Sequence, residues 1–254
     1  MIDISIILYS LIIGSFLNVL IYRLPLEQSF LTPTRSTCPN CDYQLKWYEN
    51  IPIISYIFLK AKCSSCKQSI SIIYPIVEIL SVIIAYFLYL KLGLNLNYFI
   101  TLFLFYTLLV LSFIDFKYKA VPDYLLLLIL INIFFIDDVY YKDMLILTGA
   151  FVLLNFVLTF YIQNIKSKIT KNDNLRTQTA LGEGDIPIVA IIGGLLGIKL
   201  SIFAVFIASI TALIPSIYNI IKKDDIETPF IPFLVLGLFI TYIFENQIDT
   251  IVGY

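Results

Sequence analysis

Two aspartates lie at the edges of long apolar segments, where an ionised carboxylate is costly. Asp115 follows the apolar run 97–114, and Asp185 ends the motif Gly182-Glu-Gly184-Asp185. Acids that persist beside a bilayer are by default candidates for function. Two carboxylates brought together can share one proton, so that one acts as a base on water while the other donates to a scissile carbonyl. The pair therefore predicts hydrolysis by a carboxylate dyad.

Each of these acids must be weighed against a structural explanation. An anion in the last turn of a helix opposes the helix dipole, so the position of Asp115 favours a functional role. Asp185 stands two residues before a proline and has the appearance of a helix cap, but a plain cap requires neither Gly182 nor Gly184. Such glycines allow close approach or a positive φ. Asp123 follows a proline and begins a Leu-rich run, so we expect it mainly to cap a helix while supporting the catalytic loop.

All four cysteines fall in two CxxC pairs, Cys38 with Cys41 and Cys63 with Cys66. This spacing is typical of a zinc ribbon, in which each pair turns tightly enough for both sulfurs to reach one tetrahedral ion. The alternatives are two disulfides or four inert thiols, and a reducing cytoplasmic face favours zinc. Because four cysteines close the coordination sphere, we expect the metal to be structural.

Four further polar residues are candidates for contact with a ligand. Glu49 and Asn50 lie between the cysteine pairs, within an apolar and aromatic stretch whose ordinary role is packing. Glu78 falls in the first turns of the second long apolar segment, where the helix dipole also stabilises an acid. Asn18 lies within the first apolar segment, where interhelical hydrogen bonding is the ordinary explanation.

The composition is that of a polytopic membrane protein. Of the 254 residues 59% are hydrophobic, against about 45–50% in soluble domains, and the mean hydropathy is +0.91. The chain has no histidine, which excludes Ser-His-Asp and Cys-His catalysis, HExxH metalloproteases and zinc sites that contain histidine. A net charge of −1 without a long basic face argues against nucleic acid as a partner.

The apolar runs predict an all-α membrane protein with about eight transmembrane helices and a small cytoplasmic, zinc-ribbon-like insert between the first two. The runs are 4–24, 74–92, 97–114, 123–136, 144–163, 187–199, 201–221 and 230–246. With the N-terminus outside, 14 of the 17 basic residues fall on the inner side, which places both acidic motifs in the cytoplasm. The polar segment 164–186 lacks periodicity and is predicted to be a flexible loop. We divide the chain into a first helix (1–24), an insert (25–73) and a membrane core (74–254).

In serial order these residues resemble the type IV prepilin peptidases, intramembrane aspartyl proteases of the GxGD type. The likeness covers Gly14 to Asn18 with Tyr22 to Pro25, both CxxC pairs, Glu49 to Pro52, Tyr74 to Glu78, Asp115 to Asp123, and Gly182 to Asp185. The resemblance implies an enzyme of the bacterial inner membrane that removes the short basic leader of prepilins and pseudopilins, with Asp115 and Asp185 as the catalytic pair.

The resemblance also implies a second activity. Many family members with the four-cysteine insert methylate the new N-terminus with S-adenosylmethionine, and Glu49, Asn50, Glu78 and Asn18 are the candidates for that role here. One departure stands out, since family members often carry a lysine where this chain has Pro187. Lys117 and Lys119 are nearby candidates to replace its charge.

Two other classes of function fit parts of the sequence. A proton-coupled transporter would use Asp115 and Asp185 as relay carboxylates, and it predicts acids near the middle of the membrane. A non-catalytic assembly scaffold would use the zinc ribbon for docking, and it leaves the Gly-x-Gly-Asp motif unexplained.

Overall fold

The structure is a computed structural model that describes most of the chain. The described residues are 2–29, 35–170, 173–222 and 228–252. Residues 30–34 of the predicted insert lie outside them, as do Lys171 and most of the last predicted inner loop, including Lys223. Within the described residues the chain is helical, and strand-like pairing is confined to isolated bridges in the cysteine insert. The prediction of an all-α protein is confirmed.

Ten α-helices follow one another in the described part of the chain. They are α1 (Ile2–Arg23), α2 (Ile54–Phe58), α3 (Ile73–Leu92), α4 (Leu96–Tyr118), α5 (Asp123–Asn132), α6 (Tyr141–Phe160), α7 (Ser167–Thr170), α8 (Asp185–Lys222), α9 (Ile231–Ile243) and α10 (Glu245–Val252). By length and composition, α1, α3, α4, α6 and α8 are each long and apolar enough to cross a membrane. The protein is therefore a multi-pass membrane protein, with two shorter apolar helices in α5 and α9.

Each of the eight predicted apolar runs is helical over most of its length. The runs 187–199 and 201–221 follow one another without a loop, and near their junction α8 is divided into two halves by a non-helical backbone break at Gly197, with φ +67° and ψ 171°. Five candidate spans are shown by length, and the count of about eight stays a prediction. The segment 164–186 is not the uniform loop that was predicted, because α7 and a 3₁₀ turn at Asp173–Arg176 lie within it.

The interruption in α8 is held by a carboxylate of α6. Oδ2 of Asp143 accepts the N–H of Ile198 at 3.1 Å and so caps the second half of the helix. A Cβ on Gly197 would lie 3.3 Å from the same oxygen, and the positive φ itself favours glycine. The break therefore sets the length of the first half of α8, the half that begins at Asp185.

The chain divides into two compact units, Met1–Ile114 and Asp115–Tyr254. In the first unit α1 packs closely on α3: a Cβ on Gly14 would lie 2.3 Å from Oγ of Ser81. Nδ2 of Asn18 donates to the carbonyl of Tyr74 at 3.1 Å. Asn18 thus forms an interhelical hydrogen bond, which is the structural role that the sequence predicted as the alternative to ligand contact. The division into 1–24, 25–73 and 74–254 stays a prediction about the roles of these parts.

In the second unit α8 packs against α5, α6 and α9. Helices α8 and α9 approach each other closely at Gly237, where a Cβ would meet the backbone carbonyl oxygen of Ala204. Helix α6 differs from the others, because none of its residues Tyr141–Phe160 is buried, although the structure describes all of them. It contacts α8 on one side and leaves its other faces exposed.

We expect Gly237→Ala to destabilise the second unit by about 1–3 kcal/mol, because the added methyl group meets backbone that cannot rotate away. The matched control is Gly149→Ala on α6, where nothing lies within 4 Å of the new Cβ. That substitution should stabilise its helix by about 0.5–1 kcal/mol. Thermal unfolding of both variants in one detergent checks the pair, and equal melting temperatures would contradict the close packing of α8 on α9.

Candidate active site

Asp115 is buried in the last turn of α4, and its carboxylate meets the beginning of α9. Oδ2 accepts the N–H of Ile231, the first residue of α9, at 3.2 Å. The next residue is Pro232, which has no N–H to satisfy. An anion that its own helix disfavours is thus placed at the N-terminus of another helix, where the dipole stabilises it.

Asp185 is the first residue of α8 and is also buried. Its Oδ2 accepts the N–H of Gly182 at 3.2 Å, and its own N–H donates to the Gly182 carbonyl at 3.1 Å. These two bonds close the Gly182–Asp185 segment into a tight turn. The orientation of the carboxylate therefore depends on where the turn places the Gly182 amide.

Both glycines of the motif are explained by close approach. A Cβ on Gly184 would lie 2.8 Å from Cγ2 of Val121 and 3.6 Å from Cδ1 of Ile231, while one on Gly182 would lie 3.3 Å from Oδ2 of Asp185. Among the described residues, the glycines with positive φ are Gly93 and Gly197. Gly182 and Gly184 are therefore required because a side chain would not fit, and neither of them has the positive φ that was the alternative explanation.

The structure brings the two predicted catalytic residues together. The carboxylate of Asp115 is close enough to Asp185 for their charges to interact. Ile231 adjoins both, since its N–H binds Asp115 and its Cδ1 faces Gly184. The site is therefore built where the end of α4 meets the beginnings of α8 and α9. Two buried carboxylates in one environment can act as acid and base. Their places at helix ends differ from the mid-membrane positions that a transporter relay predicts.

Sequence reasoning missed Ile231, because it contributes a backbone amide and an apolar side chain. The available signal was Pro232, since proline in the first turn marks the beginning of a helix. Sequence reasoning also missed two polar side chains of the predicted helix α6, Asn155 and Thr159, which accept hydrogen bonds from the loop that precedes Gly182.

Asp123 takes a different place from the one expected. Pro122 is the N-cap of α5, with no side-chain cap bond, and Asp123 is the exposed first residue of the helix. The prediction of an N-cap is corrected to an acid in the first turn, which the helix dipole stabilises. Of the lysines offered as a replacement for charge at Pro187, Lys117 lies with its Nζ 4.8 Å from the centroid of the Tyr118 ring. Lys119 follows Tyr118, the last residue of α4, and has φ +53°.

The four cysteines form one cluster. Their sulfur atoms all lie within 4.8 Å of one another, and the Sγ atoms of Cys38 and Cys66 are 3.8 Å apart. Four sulfurs at about 2.3 Å from a tetrahedral zinc ion would be separated by about 3.8 Å, so the cluster has the size that a metal requires. All four thiols are free, which removes the two-disulfide alternative.

Both cysteine pairs have the same backbone geometry. Cys38 and Cys63 each accept the N–H of the residue four positions on and donate to the carbonyl of the residue five positions on. The N–H groups of Cys66 and Ser65 point at the sulfur of Cys63 and lower the pKa of its thiol to about 7. Amides aimed at sulfur stabilise a thiolate, which is the form that binds metal.

Glu49 is buried inside the cysteine insert. Burial alone would raise the pKa of its carboxyl group, but the hydroxyl groups of Ser64 and Tyr43 and the N–H of Lys46 outweigh burial and lower the pKa. Because Ser64 belongs to the second cysteine pair and Lys46 follows the first, Glu49 joins the two. Asn50, by contrast, is exposed, and its Nδ2 donates to Oγ of Ser36 at 3.4 Å.

Glu78 lies in α3 and holds the segment that precedes α2. Its Oε2 accepts the N–H of Ile53 at 2.7 Å. Ile53 has φ +59° and ψ −49°, and the N–H of Ile54 donates to the carbonyl of Pro52 across it. That is a γ-turn of the strained hand, which is rare for any residue and unusual for a β-branched one. The carboxylate of Glu78 is therefore one of the contacts that hold a strained backbone in place.

The comparisons with known proteins agree along the chain. Residues 8–92 match the model of the bacterial peptidase A24 N-terminal domain, and residues 102–217 match that of the type IV leader peptidase family. Three relatives are named prepilin leader peptidase/N-methyltransferase. The one from Vibrio cholerae is 34% identical over 81% of this chain and 81% of that relative. The one from Legionella pneumophila is 31% identical and the one from Dichelobacter nodosus 30%, each over 97% of this chain and 93% of that relative. No solved structure matches the chain.

Proposed function

The chain belongs to the type IV leader peptidase family, and from that membership we propose that it removes the basic leader of prepilins or pseudopilins and methylates the new N-terminus. The observation that carries the proposal is the pair Asp115 and Asp185, both buried and electrostatically coupled where three helix ends meet. The charge pattern of the loops supports a site that faces the cytoplasm in a bacterial inner membrane.

Cleavage follows from a dyad in which one carboxyl group is ionised and the other protonated. The ionised member takes a proton from water as the water oxygen attacks the carbonyl carbon of the scissile peptide bond. The protonated member donates to the carbonyl oxygen, which becomes a hydroxyl group. When this tetrahedral intermediate collapses, the C–N bond breaks, the hydroxyl proton returns to the dyad, and the amine leaves with the proton taken from water. Each carboxyl group ends in a state that permits another cycle.

The transporter and the scaffold are the weaker alternatives. Relay carboxylates do not require glycines that bring a loop against Val121 and Ile231, whereas a dyad requires that close approach to hold Asp185 beside Asp115. A docking scaffold requires neither acid to be buried.

We further propose that the cysteine cluster binds one structural zinc ion through Cys38, Cys41, Cys63 and Cys66. The spacing of the sulfur atoms and the backbone N–H groups that point at the sulfur of Cys63 support this assignment. A zinc ion would cross-link the two turns, which Glu49 also joins through Ser64 and Lys46. A small insert of this kind has too little apolar surface to fold unaided.

Methyl transfer belongs to the first unit in this proposal. The donor implied is S-adenosylmethionine, which supplies a methyl group on a positively charged sulfur. Among the described residues of this unit, the buried acids are Glu49 and Glu78. Glu49 is engaged by three donors within the insert, so Glu78 is the better candidate to hold the substrate amine. The amine must be neutral to attack the methyl group. Because an α-amino group has a pKa of about 7.7–8.0, its proton is held weakly, and a neighbouring carboxylate needs only to accept that proton.

Replacing either member of the dyad should abolish cleavage. We expect Asp115→Asn and Asp185→Asn each to lower the rate by 10²-fold or more, the order of loss that follows removal of a general acid or base. Asp123→Asn, on an exposed residue, is the matched control and should retain most activity. Cleavage of a purified prepilin, followed on a gel, measures all three. A dyad variant that cleaves at the wild-type rate would refute the assignment.

Purified protein should contain about one zinc per chain by elemental analysis. Cys63→Ser should lose the metal and lower the melting temperature, since three sulfurs leave the coordination sphere open. The claim is wrong if a metal-free preparation keeps full activity and full thermal stability.

Glu78→Gln should separate the two activities. Glutamine keeps an oxygen that can accept the N–H of Ile53 but cannot take a proton from an amine. We expect normal cleavage and a product lighter by about one CH₂. Cys41→Ser and Glu49→Gln should give the same product by weakening the insert, together with a lower melting temperature. Mass spectrometry reads each product, and a fully methylated product from all three variants would move methyl transfer out of the first unit.

A further inference from the structure

The loop that leads into the catalytic motif is held by side chains of α6. The N–H of Ala180 donates to Oγ1 of Thr159 at 3.1 Å, and the N–H of Leu181 donates to Oδ1 of Asn155 at 3.3 Å. The third successive amide, that of Gly182, donates to Asp185 itself. Three neighbouring N–H groups are thus satisfied by three side chains, and the last of these is a member of the dyad.

The contacts from α6 continue in both directions. The hydroxyl group of Thr159 also donates to Oδ1 of Asn155 at 3.2 Å, which links the two acceptors. One turn further on, Nε2 of Gln163 donates to the carbonyl of Gln178 at 3.1 Å. Asn155, Thr159 and Gln163 are four residues apart, and we call them the α6 stripe. They are only partly exposed, while their neighbours Phe156, Val157 and Phe160 are exposed.

The shape of the helix keeps the α6 stripe on one face. At 3.6 residues per turn, positions four apart drift by about 40° around the axis, and a stripe of this spacing would slowly leave its partner. The structure changes to a π-helix at Tyr161–Lys166, which includes Gln163. A π turn holds more residues than an α turn and so reverses the drift. Such turns are frequent at functional sites, and this one directs Gln163 back towards the loop.

The stripe has no role in a core, because α6 buries none of its own residues. Asparagine, threonine and glutamine within a candidate span are costly unless they have partners, and in the described part of the chain their partners are the loop and the helix itself. We propose that the α6 stripe positions the catalytic loop: it fixes the Gly182 amide and, through that amide, the carboxylate of Asp185. Asn155, Thr159 and Gln163 act as positioning residues, and the inference rests on the proposed peptidase function.

The test is the kinetics of prepilin cleavage by the full-length Thr159→Val variant, which removes the hydroxyl group and preserves the shape. We expect kcat to fall by about 10- to 100-fold, the effect of a small misplacement of a reacting group. The KM for prepilin and the rate of methylation of an already cleaved pilin should not change. Thr159→Ser restores the hydroxyl group and should restore kcat.

The matched control lies on the same helix. Among the described residues, the hydroxyl group of Thr148 donates to the carbonyl of Met144 in the same helix at 2.6 Å, so Thr148→Val removes a hydroxyl group that is not bonded to the described part of the loop. It should cleave like the wild type. Asn155→Ser is a second variant, for use if Thr159→Val does not fold. The serine side chain is too short to reach the N–H of Leu181, so this variant should show the same loss of kcat.

The inference is overturned if Thr159→Val and Asn155→Ser both cleave like Thr148→Val. It is also overturned if methylation falls in step with cleavage, because the stripe would then serve only overall stability. Asp115→Asn and Asp185→Asn in the same assay separate this failure from a failure of the proposed function. If those variants cleave normally the dyad is wrong, and if they are inactive while the stripe variants are normal only the positioning role is wrong.

Discussion

The second unit depends on one hydrogen bond, from the N–H of Ile231 to the carboxylate of Asp115. This bond joins the end of α4 to the beginning of α9 across 116 residues of sequence, in a part of the molecule where an unsatisfied N–H or a lone carboxylate would be costly. Each group satisfies the other. The same bond holds a carboxylate near Asp185, the first residue of α8, so that two buried carboxylates adjoin each other through contacts that the helix ends need in any case.

Polar groups at or near helix ends also join other segments of this unit. Asp143 caps the second half of α8 at the Gly197 break, and Ser216 bonds Thr228 across the connection between α8 and α9 at 2.9 Å. Where helices or loops must approach more closely, a side chain is missing, as at Gly184 and Gly237. Polar groups at helix ends and glycines at contacts together fix a site whose surroundings are apolar. The cysteine insert of the first unit uses a different device, a cluster of four sulfur atoms within 4.8 Å of one another.

The sequence was sufficient for those features that are local. Apolar runs predicted the helices, and CxxC spacing predicted the cysteine cluster. The position of Asp115 in the last turn of a helix, where the dipole opposes an anion, predicted a functional role for this acid. The runs 187–199 and 201–221 predicted that this segment is divided, but the cause of the division was not predictable, because the break at Gly197 is held by Asp143 of α6. Asp123 was assigned as a cap because sequence alone does not distinguish the cap from the residue that follows it.

Contacts that join distant segments were beyond the reach of the sequence. Nothing local connects Asp115 to Ile231 or Thr159 to Ala180, since these contacts depend on how the helices pack. A trace of the second was present in the four-residue spacing of Asn155, Thr159 and Gln163 within an apolar helix. The γ-turn at Ile53 left no such trace, because a β-branched residue predicts the opposite backbone conformation.

Asp115 caps α9 through the N–H of Ile231, and in the proposed mechanism it also takes part in catalysis. Hydrogen exchange separates these two roles. An asparagine oxygen can still accept the N–H of Ile231, whereas alanine cannot. We therefore expect the α9 amides from Ile231 onwards to exchange slowly in wild type and in an inactive Asp115→Asn variant, and rapidly in Asp115→Ala. An Asp115→Asn variant that is inactive and also exchanges as fast as Asp115→Ala would contradict the account, because the lost activity would then follow from a displaced helix.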